Sequence, residues 1–217
     1  MAKIITFTDQ DVLINTDPFY AAIGDLAVLS GKSSKELEKV YLQNEYQLLM
    51  RTTFIPYSEI VRQALKACET VFEVNNLTTH VTDLMKVYHN LPSFREVSKT
   101  LTQLKENGYQ LGLLSNLPRP ILEHNLANFK VSFDQFWLAE NLHCYQPQAA
   151  FFDQVTRQLQ QLGVGAADHI HITGNYLPTL PENWQTIWLN RNSQEMPKNR
   201  SSIQVINHLD ELLKKLA

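Results

Sequence analysis

The sequence is poor in cysteine: of its 217 residues only Cys68 and Cys144 carry thiols, and they lie far apart. Two cysteines are too few for a disulfide framework or for a metal site built from cysteines. The sequence also lacks an excess of charge of one sign, because 19 Lys and Arg residues balance 22 Asp and Glu residues, for a net charge of −3. Without a basic block, we expect neither nucleic acid nor an anionic membrane as a partner.

Long apolar runs are missing as well. No stretch approaches the ~18–20 residues of a membrane-spanning helix, and the apolar run at residues 4–7 is too short for a secretory signal. We therefore expect a cytoplasmic protein. Hydrophobic residues nevertheless make up 44% of the chain and charged residues 19%, which is enough apolar material for a sizeable core and excludes a disordered chain.

Short β-type runs alternate with helical periods along most of the chain. The first run covers residues 4–8, and later runs cover residues 109–114, 136–138, 169–173 and 186–190. This alternation predicts βαβ units and a parallel sheet, in which functional groups lie at the carboxyl ends of the strands. The polar residues that follow the strands are therefore the candidate site residues: Thr8, Asp9, Gln10, Asp11, Ser115, Asn116, Gln146 and Asn175.

One long segment, residues 17–90, shows only helical periods. Ser33 and Glu36 have the spacing of a capping box, which predicts the start of a helix. Because this segment separates the first strand from the others, we predict an inserted helical domain at residues 17–90. The fold class is then α/β, with a doubly wound parallel sheet formed by residues 1–16 and 91–217. The C-terminal residues 203–216 predict an amphipathic helix.

The segments at the predicted strand ends resemble the four motifs of the haloacid dehalogenase-like (HAD) hydrolase superfamily. Residues 7–18 (FTDQDVLINTDP) are similar to the first motif, and residues 111–116 (LGLLSN) to the second. Residues 145–152 (YQPQAAFF) are similar to the third motif, and residues 170–175 (IHITGN) to the fourth. The resemblance covers nearly the whole chain, and the helical domain resembles the helical cap of the family.

The resemblance implies a chemistry for each motif. In the family, an Asp after the first strand is the nucleophile, and in phosphatases a second Asp two residues later is the general acid/base. A Ser or Thr of the second motif orients the oxyanion, a Lys of the third neutralises charge, and acids of the fourth hold Mg²⁺.

An ungapped alignment of the first motif places Thr8 at the nucleophile position, Gln10 at the acid/base position and Asp11 at the position of a Gly. A Thr hydroxyl without a base is a poor nucleophile, and the amide of Gln10 does not transfer protons at neutral pH. Gln146 replaces the Lys of the third motif, and Asn175 replaces an acid of the fourth.

A second register remains open. If the first strand carries one extra residue, Asp9 is the nucleophile and Asp11 the general acid/base. Only this register calls for Mg²⁺, with Glu140 or Glu182 as the nearby candidates for a replacement metal ligand. His169 and His171 alternate on a strand, and we interpret them as residues of one strand face rather than as metal ligands.

The sequence therefore predicts a HAD-like protein that has lost metal-dependent hydrolysis and needs no cofactor. It retains a pocket for a small anionic ligand or a protein partner, lined by Thr8, Gln10, Ser115, Asn116 and Gln146. Arg51 of the helical domain is a further candidate for substrate binding, since a cap Arg meets the substrate carboxylate in the dehalogenase branch of the family. The alternative is an active small-molecule phosphatase that uses Asp9 and Asp11.

Overall fold

The computed structural model describes residues 3–175, 179–195 and 203–216. In these ranges the chain forms six strands: β1 (Ile4–Thr8), β2 (Gln110–Ser115), β3 (Gln135–Leu138), β4 (His169–Thr173), β5 (Gln185–Leu189) and β6 (Gln204–Ile206). They build one sheet in the order β3-β2-β1-β4-β5-β6, and every neighbouring pair is parallel. The strand order reverses between β1 and β4, so the prediction of a doubly wound parallel sheet is confirmed.

The central strand β1 is apolar on both faces because helices cover both sides of the sheet. Ile4, Ile5 and Phe7 are fully buried. Thr6 is the polar exception, and its hydroxyl lies 2.8 Å from Nε2 of His169 and 2.9 Å from Nδ1 of His171. Burial lowers the pKa of His169 to about 4 and that of His171 to about 3. These buried, neutral rings belong to the strand packing, as we interpreted them from the sequence.

The helical segment between β1 and the rest of the core holds five α-helices in residues 17–90. They are α1 (Asp17–Asp25), α2 (Ala27–Ser30), α3 (Ser34–Leu49), α4 (Tyr57–Phe72) and α5 (Val81–His89), with a 3₁₀-helix at Leu77–His80. Ser33 and Glu36 form the predicted capping box at the start of α3. Helices α3 and α4 pack on each other, and α3 buries residues three or four positions apart, such as Leu37 and Tyr41.

Further helices cover the faces of the sheet. They are α6 (Val97–Glu106), α7 (Arg119–Leu126), α8 (Ala139–Leu142), α9 (Ala149–Gln161) and α10 (Glu211–Leu216). Within the described ranges, none of the helices has the length and apolar character needed to cross a membrane.

The prediction of one helix over residues 203–216 was wrong in its first half. Residues Gln204–Ile206 form β6 at the sheet edge, where Val205 pairs with Trp188 of β5. β-branched side chains fit such a pleated edge, and strand pairing overrides the helical period of the sequence. The helix begins only at Glu211, whose carboxylate accepts hydrogen bonds from the backbone amides of Asn207 and His208.

Candidate active-site cavity

A cavity of about 280 Å³ lies between the carboxyl end of the sheet and the helical segment. The sheet side of its wall consists of Thr8, Asp9, Gln10, Asn116, Gln146, Pro147, Thr173 and Asn175. The helical segment contributes Tyr20, Leu42, Glu45, Tyr46, Leu49 and Tyr57. The cavity therefore sits at the carboxyl ends of β1 and β4, between which the strand order reverses, and this is where doubly wound sheets bind their ligands.

Thr8 and Gln10, the residues of the ungapped register, both line the cavity. The Thr8 hydroxyl is buried and has no hydrogen-bond partner among the described residues. The Gln10 amide nitrogen donates a long hydrogen bond of 3.5 Å to the hydroxyl of Tyr88. The structure thus brings these two side chains to the same wall, at the end of β1 and two residues beyond it.

Asp9 also lines the cavity, although only 1% of it is exposed. Its carboxylate accepts a hydrogen bond of 2.6 Å from the hydroxyl of Ser115. Burial raises the pKa of Asp9 to about 6, against the opposing effect of the Ser115 bond. The Asp9 carbonyl accepts hydrogen bonds from the amides of Leu13 and Ile14, which fold the following residues into a tight loop.

Asp11 does not share this cavity. Its carboxylate accepts a short hydrogen bond from Thr16, and it lines a separate recess of about 50 Å³ together with Gly174 and Arg191. Burial raises the pKa of Asp11 above its ordinary value. The backbone φ of Asp11 is 60°, in the left-handed region that favours glycine. This conformation fits the Gly position that the ungapped register assigns to Asp11.

Asn116 and Gln146 are joined by two hydrogen bonds. The Asn116 side chain donates to the Gln146 carbonyl and accepts from the Gln146 amide, each at 2.9 Å. The bond between Gln146 and Pro147 is cis. Both bonds involve the backbone of Gln146. The Oε1 atom of its side chain is buried without a partner among the described residues. The side-chain amide of Asn116 thus holds the neighbouring loop in place.

The remaining candidates from the sequence lie outside the wall. The Ser115 hydroxyl is fully buried and, besides its bond to Asp9, accepts from the amide of Leu117. Arg51 is exposed and donates to Gln63, so the guanidinium does not reach the cavity. Glu140 accepts from the backbone amide of Arg119, and Glu182 lines a different cavity. Arg51 was proposed from the family resemblance alone, and it lies just beyond the end of α3, outside the wall of the cavity.

Glu45 is a cavity residue that sequence reasoning missed. It is 5% exposed, and Tyr41 and Tyr57 donate hydrogen bonds to its Oε1 atom at 3.2 and 2.8 Å. The hydroxyl of Tyr20 donates to Oε2 at 3.5 Å. Burial raises the pKa of Glu45 to about 7, while these tyrosine bonds oppose the shift. The signal was present: Glu45 follows Leu37 and Tyr41 at helical spacing, on a face that is otherwise apolar.

Arg191 is the second missed residue, and it holds the loop after β1. Its guanidinium donates to the carbonyl of Asp11 at 3.2 Å and to the carbonyl of Val12 at 2.9 Å. It also forms an ion pair of 2.6 Å with Glu96 and lies 3.7 Å from the ring centre of Phe94. Arg191 lies two residues after the end of β5, so its position just after a predicted strand was a readable signal.

The ionisable groups of the cavity wall include two carboxyls, those of Asp9 and Glu45, and no basic side chain among the described lining residues, since none of these is Lys, Arg or His. Across the described part of the chain, no three His, Cys, Asp or Glu side chains come together to hold a metal ion. Mg²⁺ prefers an octahedral set of oxygen ligands that includes carboxylates. Because Asp11 is turned into the other recess and Asn175 replaces an acid, the wall does not fit this ion.

Comparison with known proteins supports the architecture. A family model described as haloacid dehalogenase-like hydrolase matches residues 11–172, well over half of the chain. The comparison with curated protein sequences found no match.

Several solved structures are similar over the full length. One is a dehalogenase with an intermediate complex (19% identity, TM-score 0.80, covering 99% of this chain and 96% of that one). Another is L-2-haloacid dehalogenase from Xanthobacter autotrophicus with chloropropionic acid covalently bound (15%, 0.78, 100% and 98%). A HAD phosphatase from Thermococcus onnurineus is similar at 17% identity and a TM-score of 0.63, covering 99% and 98%. At these identities the likeness shows a shared fold.

Proposed function

Since the chain belongs to the haloacid dehalogenase-like hydrolase family, we propose that it has lost metal-dependent hydrolysis and uses its cavity to bind a ligand. One observation carries this proposal. The wall presents the amides of Gln10, Gln146 and Asn175 at the positions where the family resemblance calls for an acid/base, a lysine and a metal-binding acid. Amides neither transfer protons at neutral pH nor supply the charge that phosphoryl transfer needs.

We also propose that residues 17–90 act as a cap domain over a core of residues 1–16 and 91–217. The support for this division is the cavity itself, because six of its lining residues come from the helical segment. A ligand in the cavity would contact both parts of the chain. The cytoplasmic location and the protein partner that the sequence led us to expect stay predictions.

Hydrolysis that starts from Asp9 is the second candidate function. The observation in its favour is that the Asp9 carboxylate borders the cavity and is held by Ser115. The general acid/base role of Asp11 has no such support, since that side chain lies in the other recess. Phosphates and 2-haloacids are anions, and two buried carboxylates without a cation would repel them. At an effective dielectric constant of ~20, two like charges 4 Å apart repel by about 4 kcal/mol.

Turnover of 4-nitrophenyl phosphate and of 2-chloropropionate, with and without Mg²⁺, separates the two functions. We expect the wild type and Asp9→Asn to show the same background rate with both substrates. Asn is isosteric with Asp and can still accept the hydrogen bond from Ser115, so the variant should fold, which circular dichroism can check. A Mg²⁺-stimulated rate that disappears in Asp9→Asn would establish the hydrolase instead.

A further inference from the structure

We propose that the cavity binds a small organic cation, an ammonium group with an apolar part, and that Glu45 is its counter-ion. This inference rests on the proposed function, because it names the class of ligand that the cavity binds. It replaces the small anionic ligand that the sequence led us to expect.

The acidic side chains of the wall are the first argument. The Glu45 carboxyl is buried, and its ionised form is costly there unless a positive charge pairs with it, so a cationic ligand would favour ionisation. Hydroxyls of Tyr41 and Tyr57 donate to it, but no cationic side chain stands among the described lining residues. Asp9 adds a second carboxylate on the opposite wall. A ligand that brings its own positive charge complements this arrangement, whereas an anion does not.

The second argument is independent of the carboxylates. Gln146 is only 5% exposed and lines the cavity, yet its Oε1 atom finds no donor among the described residues. The buried hydroxyl oxygen of Thr8 in the same wall is equally without a partner. Buried polar atoms in proteins are normally hydrogen-bonded. Because an amide oxygen only accepts hydrogen bonds, a ligand that donates suits this wall, and an ammonium group has up to three donor hydrogens.

The helical side of the wall suits the rest of such a ligand. Tyr20, Tyr46 and Tyr57 line the cavity, and aromatic rings attract organic cations through their faces. Leu42 and Leu49 of α3 add apolar surface. The volume of about 280 Å³ corresponds to about ten to twelve non-hydrogen atoms, if it is scaled from the ~150 Å³ cavity that holds benzene. A primary amine on a short aryl or alkyl chain has this size.

Isothermal titration calorimetry of the protein with three ligands of similar shape tests which ligand charge the cavity prefers. The probes are 2-phenylethylammonium, the neutral 2-phenylethanol and the anionic 3-phenylpropionate, at a pH of about 8, where Glu45 is ionised. We expect the ammonium to bind at about millimolar concentration or tighter. The alcohol and the carboxylate should bind at least about tenfold more weakly, which is a difference of about 1.4 kcal/mol.

Two variants locate the binding. Glu45→Gln keeps the shape and accepts the tyrosine hydrogen bonds, and we expect it to bind the ammonium ~30-fold more weakly or worse, as for the loss of one partner of a buried charge pair. Glu69→Gln is the matched control, because Glu69 of α4 is also buried but bonds to Lys66 and Thr78 away from the cavity. This control should bind like the wild type.

Several outcomes would overturn the inference. These are no saturable binding of the ammonium, equal binding of the anion, or an affinity that Glu45→Gln leaves unchanged. The turnover assay described above keeps this inference distinct from the proposed function. Absence of both turnover and ammonium binding refutes only the ligand class, whereas Mg²⁺-dependent turnover refutes the proposed function whatever the cavity binds.

Discussion

Replacing Glu45 by Gln should change how the stability of the protein depends on pH. The Glu45 carboxyl is 5% exposed, and its burial raises the pKa from the ordinary 4.5 to about 7, while hydrogen bonds from three tyrosines oppose the shift. Gln keeps the shape of the side chain and an oxygen that accepts those hydrogen bonds, but it carries no charge. The variant therefore removes the titration and retains the packing.

The direction of this pH dependence follows from the raised pKa of Glu45. Between pH 4.5 and about 7 the folded protein holds a proton on Glu45 that the unfolded chain has released. The contribution of Glu45 to stability is thus fully present below pH 4.5 and is lost as the pH rises through about 7. A shift of this size corresponds to about 3 kcal/mol, because each pKa unit is worth about 1.4 kcal/mol. Relative to the wild type, Glu45→Gln should gain about 3 kcal/mol between acidic and alkaline pH.

Urea unfolding of both proteins without added ligand, at pH values of about 5 to 8, measures this difference. Comparing the two proteins cancels the titrations of Asp9 and of the buried histidines, which both proteins share. Glu69→Gln is the control, and its effect on the pH dependence of stability should have the opposite sign. Burial raises the pKa of Glu69, but hydrogen bonds from Lys66 and Thr78 outweigh burial and hold this pKa below its ordinary value. Parallel pH profiles for the wild type and Glu45→Gln would refute the buried, protonated state of Glu45.

Two further predictions concern the sheet and the loop above it. Arg191→Ala should lower the free energy of unfolding by about 2–3 kcal/mol, because it removes a largely buried ion pair, two hydrogen bonds to carbonyls and a cation–π contact. Lys86→Ala, which breaks an exposed ion pair with Asp83, should cost less than about 0.5 kcal/mol in the same urea titration. Since burial lowers the pKa of His171 to about 3, stability should fall as the pH drops below 6.5, by about 2 kcal/mol from this residue at a pH of about 5. His171→Asn should flatten that acid limb, and an acid limb as steep as that of the wild type would contradict the assignment.

The sheet could be predicted from the sequence because its signals are local. The alternation of apolar runs with helical periods predicts a parallel sheet, and the capping box at Ser33 marks a helix start directly. The edge strand β6 could not be predicted in the same way. Val205 and Ile206 satisfy a helical period, and only pairing with β5 selects the strand.

The candidate site could be predicted only in part from the sequence, and the reason is physical. The residues at the strand ends were found because a parallel sheet gathers them at one edge, and Thr8, Asp9, Gln10, Asn116 and Gln146 do line one cavity. The sequence did not show in which direction the side chains of the site point. The left-handed backbone of Asp11 turns its carboxylate into another recess, and the rotation of α3 puts Glu45 into the wall. Such orientations depend on tertiary packing.

The rate of 4-nitrophenyl phosphate hydrolysis at saturating Mg²⁺, compared between the wild type and Asp9→Asn, tests the central claim most directly. Because amides occupy the wall where catalysis needs charged groups, we predict that the two rates are equal and do not respond to Mg²⁺. A wild-type rate that is ~100-fold or more above that of Asp9→Asn, which is the lower end of what one general acid/base group contributes and less than loss of a nucleophile should cost, would contradict the loss of hydrolysis.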